Sequence, residues 1–285
     1  MREESAALVA PRFFFPEISR VLSFGDRIPC GDYRLLSKFD DAINFIGGGR
    51  LVAVVTKRVG GGPINIVLGG PSLPDAERLE VRRGSFSLDE TAFPCHPLHD
   101  SALPTAAATP ERVRQALRSV RAAVLESAHP KSLAFLLDES RLGGLRPGFE
   151  SALAAKFRDA AAAMAAGQLA QGAAAVSGLG WGLTPSGDDF LAGYLWGLHA
   201  RQRLDGKGIS ESIAAVHGAA RSANPLSAAF LDCAREGRCF EKLRGLLAAL
   251  MAGDALEAPR HTRELLAVGE TSGADTCVGL LAALN

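Results

Sequence analysis

One ten-residue pattern occurs twice in this chain. Ser-Gly-x-Asp-x-x-x-Gly-x-Leu begins at Ser186 and again at Ser272, with Asp189 matched by Asp275 and Gly193 by Gly279. In each copy a polar start runs directly into an apolar helical pattern. With the serine as N-cap, Ser186 and Asp189 resemble a capping box with Asp in place of the usual Glu. A carboxylate in a first helical turn stabilises it by roughly 0.3–1 kcal/mol, so capping alone accounts for a single copy. Small residues then recur at i and i+4, Gly193 with Gly197 and Gly279 with Ala283, a stripe that lets another helix approach closely. The two helices are therefore predicted to pack together, or on one common partner, with their N-termini at the same end. Asp188, Asp189 and Asp275 would then converge on one pocket.

The first copy holds more than a cap requires. Asp188 and Asp189 are adjacent, so on a helix they point about 100° apart and cannot both cap it. Gly178, Gly180 and Gly182 precede them within five residues, a run that fits unusual backbone angles or close approach to a ligand. Amides at a helix start form an anion site, and aspartates beside an anion call for a bridging cation. The residues thus point to a phosphate- or carboxylate-bearing ligand at Gly180, Gly182, Thr184, Ser186, Gly187, Ser272, Gly273 and Thr276. Asp188, Asp189 and Asp275 are the candidate catalytic groups, and Asp188 with Asp189 the candidate ligands of a Mg²⁺ ion. His96-Pro97-Leu98-His99 lacks zinc-ligand spacing.

The rest of the chain sets the frame. Segments 32–38, 50–57, 64–68 and 85–88 read as strands, with Gly60-Gly61-Gly62-Pro63 as a hairpin connection between two of them. Beyond residue 105 the texture becomes helical. Thr109-Pro110-Glu111 opens one helix, and the alanine-rich run 149–176 reads as one closely packed helix. Asn224-Pro225 starts another, and further helices are expected near 188–203, 209–221, 225–236, 239–252 and 274–284. The expected class is α+β, with a β-rich domain at 1–105 and a helical domain at 106–285 that carries both motifs.

Charge excludes some functions. Residues 1–105 carry 12 basic and 13 acidic side chains and the remainder 19 and 18, without the basic excess that nucleic-acid binding needs. Apolar runs fall short of the roughly 20 residues of a membrane span. Met1-Arg2-Glu3-Glu4 does not read as a signal peptide. The five scattered cysteines include no Cys-x-x-Cys pair and fit reduced thiols in a cytoplasm.

The stretch Gly182-Leu183-Thr184-Pro185-Ser186-Gly187-Asp188-Asp189-Phe190-Leu191, together with Ser272-Gly273-Ala274-Asp275-Thr276 and Asn224-Pro225-Leu226-Ser227-Ala228-Ala229-Phe230-Leu231, resembles the AllH-like proteins. That family is named for a subunit of oxamate carbamoyltransferase. The resemblance spans about residues 178–284, and Trp181 departs from it where the family favours proline. It implies carbamoyl transfer involving an oxamate-like amide and carbamoyl phosphate, in purine or allantoin nitrogen catabolism and with other subunits. Two other readings stay open: a non-catalytic accessory or partner-docking subunit, and a Mg²⁺-dependent phosphate- or nucleotide-handling enzyme that lacks a P-loop.

Overall fold

The computed structural model describes residues 20–284; Met1-Arg2-Glu3-Glu4 lies outside them. The chain divides between His99 and Asp100 into two compact units. The class is α+β, a sheet followed by helices.

The first unit is a nine-stranded sheet. Its strands are β1 (Arg20–Gly25), β2 (Gly31–Lys38), β3 (Ala42–Gly47), β4 (Arg50–Thr56), β5 (Asn65–Gly69), β6 (Arg78–Arg82), β7 (Ser85–Leu88), β8 (Thr91–Pro94) and β9 (Leu98–His99). Their order in the sheet is β8-β7-β6-β2-β3-β4-β5-β1-β9. Alternation sets the register: Leu79 and Val81 of β6 point inward between exposed Arg78, Glu80 and Arg82. They face Leu88 and Phe86 across the β6–β7 pair. Phe45, Val52, Val54, Ile66 and Phe24 extend the same core across β3, β4, β5 and β1. On β4 and β5, Ala53, Val55 and Val67 are buried on the opposite face as well, which is why both strands read as continuous apolar runs.

Gly60-Gly61-Gly62-Pro63 is not a hairpin connection. β4 and β5 run parallel, Ala53 opposite Asn65 and Thr56 opposite Leu68, so the chain between them has to return to the start of the ladder. The antiparallel neighbour of β5 is β1. The loop is buried and pinned by Asn65, whose Nδ2 donates to the Gly60 carbonyl at 3.0 Å.

The second unit contains α1 (Pro110–Ser127), 3-10 turns at Leu133–Leu136 and Glu139–Gly144, α2 (Phe149–Ala165), α3 (Leu169–Val176), α4 (Ser186–Asp205), α5 (Ser210–Ala219), α6 (Pro225–Arg235), α7 (Glu241–Met251), α8 (Ala258–Leu266) and α9 (Ser272–Leu284). The alanine-rich run is two helices, because Gly167 takes a left-handed φ of +85° and turns the chain. Close packing within it holds: a Cβ on Gly172 would lie 2.4 Å from Met164 Cγ. Asn224 caps α6 by accepting from the Leu226 amide at 2.9 Å, with Pro225 in the first turn. α4 is the centre of the unit, buried from Ser186 to Leu198 and packed on α3, α5, α6, α7 and α9. No helix among the described residues is long and apolar enough to cross a membrane.

Candidate functional site

Small residues bring the two motif helices together. A Cβ on Gly193 would meet the Thr276 carbonyl at 2.0 Å, and one on Gly279 would meet the Phe190 carbonyl at 1.9 Å. Further along, a Cβ on Gly197 would lie 2.6 Å from that of Ala283. The contacts advance together along both helices, so α4 and α9 lie side by side and parallel. They are also reciprocal, since Phe190 and Thr276 follow the equivalent aspartates. The next glycines repeat the symmetry: Gly187 sits against the Val176 carbonyl at the end of α3, and Gly273 against the Leu265 carbonyl at the end of α8, each at 1.9 Å from a Cβ.

This brings one hydroxyl and carboxyl cluster to the two helix starts. Thr184 Oγ1 donates to Asp189 Oδ2 at 2.8 Å and lies 3.0 Å from Ser272 Oγ. With Thr184 donating to Asp189, Ser272 donates to Thr184. Asp275 Oδ1 accepts the Leu133 amide at 2.7 Å, at the start of the first 3-10 turn. Its Oδ2 is buried without a hydrogen-bond partner, as is Ser186 Oγ. Asp189 is 4% exposed, Ser186 1% and Asp275 0%.

Electrostatics follow from that burial. Desolvation pushes Asp189 up to about 8, against the opposing pull of the Thr184 and Ser272 hydroxyls and with a further push from Asp275 and Asp188. Desolvation pushes Asp275 up to about 7, countered by the Leu133 amide and more weakly by the Ser186 and Thr271 hydroxyls. The Ser186 hydroxyl is thus near enough to Asp275 to act on its charge, yet neither Ser186 Oγ nor Asp275 Oδ2 completes a hydrogen bond. Near neutral pH this pair holds protons that ordinary aspartates have released.

The sequence-derived residues therefore separate. Thr184, Ser186, Asp189, Ser272 and Asp275 come together. Asp188 is turned elsewhere: its Oδ1 accepts the Gly178 amide at 2.8 Å and its Oδ2 the Ser222 hydroxyl at 2.6 Å. It ties the glycine loop to the segment before α6 and does not join Asp189 as a chelating pair. Among the described residues no group of three or more His, Cys, Asp or Glu is arranged to hold a metal ion.

Gly187, Gly273 and the Thr276 backbone serve helix packing, and Gly180 crowds Ser186, whose amide would lie 2.7 Å from an added Cβ. Ser186 is the first residue of α4 and not its cap; Pro185 holds that place. The helix-start amides are engaged, Gly187 to Leu179, Asp188 and Asp189 to Pro185, Gly273 to Val268 and Asp275 to Thr271. Three groups of the site escaped the sequence reading: the Leu133 amide, Ser222 and Thr271. Of these only Thr271 had a signal, standing immediately before the second motif.

The glycine loop has its own requirement. Gly178, Gly180 and Gly182 adopt φ of +71°, +114° and +100°, angles that cost a side-chain-bearing residue about 1–3 kcal/mol. Gly182→Val is expected to lower stability by that amount in urea denaturation; an unchanged midpoint would show that the loop does not need the angle.

Residues 176–284 match the family described as oxamate carbamoyltransferase subunit AllH. No curated protein and no solved structure matches the chain.

Proposed function

We propose that this chain, which over residues 176–284 is similar to the AllH family, is a subunit of an oxamate carbamoyltransferase-like system that binds its amide-bearing ligand at the joined starts of α4 and α9. The observation that carries this reading is the pair of unpartnered buried atoms, Asp275 Oδ2 and Ser186 Oγ, beside a second buried carboxyl. A buried acceptor without a donor costs about 1–3 kcal/mol, and strongly perturbed carboxyls cluster at functional sites. In its ionised form Asp275 Oδ2 accepts from the N–H groups of a carboxamide, and Ser186 offers a hydroxyl to the amide oxygen. Asp189, linked through Thr184 to Ser272, closes the other side and orients the amine.

Both oxamate and carbamoyl phosphate carry a carboxamide-type end and an anionic end. The uncharged end suits this cluster, because the charges acting on Asp189 are those of other carboxylates. The anionic end is not held by the amides of Gly187, Asp188, Asp189, Gly273 and Asp275, which already have carbonyl partners.

Calorimetric titration of the purified chain with oxamate and with carbamoyl phosphate, with and without Mg²⁺, tests the reading. Saturable binding is expected for at least one of them, at least tenfold weaker in Asp275→Asn. Asn keeps the acceptor for Leu133 but replaces Oδ2 by a donor. Equal binding by the variant would move the ligand away from the cluster. No binding by either protein would favour an accessory subunit whose cluster only locks the two helices.

A further inference from the structure

We propose that Ser272 is a nucleophile that takes up a carbamoyl group, its proton passing through Thr184 to Asp189; the step rests on the ligand reading above. Three side chains form one hydrogen-bonded line. Ser272 Oγ lies 3.0 Å from Thr184 Oγ1, which donates to Asp189 Oδ2 at 2.8 Å. Each hydroxyl hands its hydrogen inward, so the line ends on a carboxylate that only accepts. Exposure falls in the same order. Ser272 is half-buried, whereas Thr184 and Asp189 are 6% and 4% exposed. The outer hydroxyl is open to a ligand, while the relay and the base are shielded from water. A serine nucleophile with a positioned base needs that arrangement.

Capping does not explain the line. A cap bonds amides of its own first turn, and these side chains bond each other across the two helix starts. The inner carboxyl also suits the task. An ordinary aspartate is a weak base at neutral pH, but burial pushes Asp189 up to about 8, in the range where a general base works best.

A second observation points to a ligand at the same place. Ser186 Oγ and Asp275 Oδ2 are buried without hydrogen-bond partners, and Asp275 shares the first turn of α9 with Ser272. The two serines, equivalent in the repeated motif, therefore differ in equipment. Ser272 has a path for its proton, and Ser186 has an unengaged hydroxyl for the oxygen on which charge develops. With the carbamoyl nitrogen on Asp275 and its oxygen on Ser186, the carbon is left for Ser272.

The transfer balances in two steps. Ser272 Oγ attacks the carbamoyl carbon of carbamoyl phosphate, its proton passes to Thr184, and that of Thr184 passes to Asp189. The bond from that carbon to the phosphate oxygen breaks. Phosphate leaves with the electron pair and takes one proton from solvent. The amide nitrogen of oxamate then attacks the same carbon and releases one proton to solvent. The carbon–Oγ bond breaks, and Asp189 returns its proton through Thr184 to Ser272.

Incubating the full chain with carbamoyl phosphate, followed by phosphate assay, peptide mass spectrometry and calorimetry, tests the nucleophile. Without an acceptor the wild type is expected to release stoichiometric phosphate and to carry a carbamoyl group on Ser272, which oxamate then removes. Ser272→Ala is expected to gain no group at that peptide. Thr184→Val keeps the shape of the side chain, so it should still bind carbamoyl phosphate but lose the modification, and Thr184→Ser should restore it. Binding by the wild type without a group on Ser272 would overturn the nucleophile and leave the ligand site standing. Neither binding nor modification would overturn both. Carbamoylation confined to lysine amines would also overturn the nucleophile. If Ser272→Ala does not fold, the peptide map of the wild type decides alone.

Discussion

Gly279→Ala will lower folding stability by about 3 kcal/mol or more, whereas Gly218→Ala will raise it by up to about 1 kcal/mol. Both glycines are in helices, and on helix propensity alone both replacements should stabilise. Around Gly218 there is nothing within 4 Å of an added Cβ, so propensity decides the outcome. At Gly279 the new atom would stand 1.9 Å from the Phe190 carbonyl oxygen. That neighbour is helix backbone, which cannot swing aside as a side chain can, so the whole α4–α9 contact has to open. Gly193→Ala should behave like Gly279→Ala, because its Cβ would meet the Thr276 carbonyl in the mirrored way. Urea denaturation followed by circular dichroism measures all three. A Gly279→Ala protein as stable as the wild type would mean that the helices are not in contact at that position.

Asp189→Asn will flatten the dependence of stability on pH and, with it, remove ligand binding. In the unfolded chain an aspartate releases its proton near pH 3.8, while folded Asp189 and Asp275 hold theirs to about 8 and about 7. Between those values the folded state binds more protons, so stability falls as pH rises from about 4 to 8 and levels off above. Each group contributes up to about 1.4 kcal/mol per pH unit within its window. Asparagine is close in size to the neutral carboxyl and does not titrate. The variant should match the wild type near pH 4 and become increasingly the more stable protein as pH rises to 8. A residue kept for structure alone would lose stability at every pH on substitution. Urea midpoints between pH 5 and 8, with calorimetry at pH 7, separate the two roles. A wild-type stability that rises through this range would contradict the burial of uncharged carboxyls.

What could be read from the sequence was what depends on neighbours a few residues away. The stripes Gly193–Gly197 and Gly279–Ala283 are helical spacings, and they were enough to foresee two parallel helices with Asp189 and Asp275 at one end. Asn224-Pro225 marked α6 for the same reason. What the sequence hid is set by distant partners. Asp275 is held by the amide of Leu133, 142 residues away, and no local pattern announces that bond. Asp188 looks as available as Asp189 until Ser222 and Gly178 are seen to hold both its oxygens. The amides of the first turns looked open to an anion because their carbonyl partners, Leu179, Pro185, Val268 and Thr271, lie in loops whose course the composition does not fix. The same holds for Gly60-Gly61-Gly62-Pro63, since turn residues serve a hairpin and a return loop equally well. Strand β6, Arg-Leu-Glu-Val-Arg, alternates exposed and buried residues and is absent from the strands expected from the sequence.

Two neighbouring helices that point the same way cannot be joined by a tight turn. α4 has 20 residues and so extends about 30 Å; the chain has to travel back that distance before α9 can begin. Helices α5 to α8 are the return path. Contacts across the cluster, such as Thr184 to Ser272 at a separation of 88 residues, therefore close a long loop, the kind of contact that forms late and slows folding. A fragment that stops before Ser272 can form α4 but leaves its glycine stripe uncovered. The cluster exists only in a chain whose helical unit has finished folding, and binding at it doubles as a report of that completion.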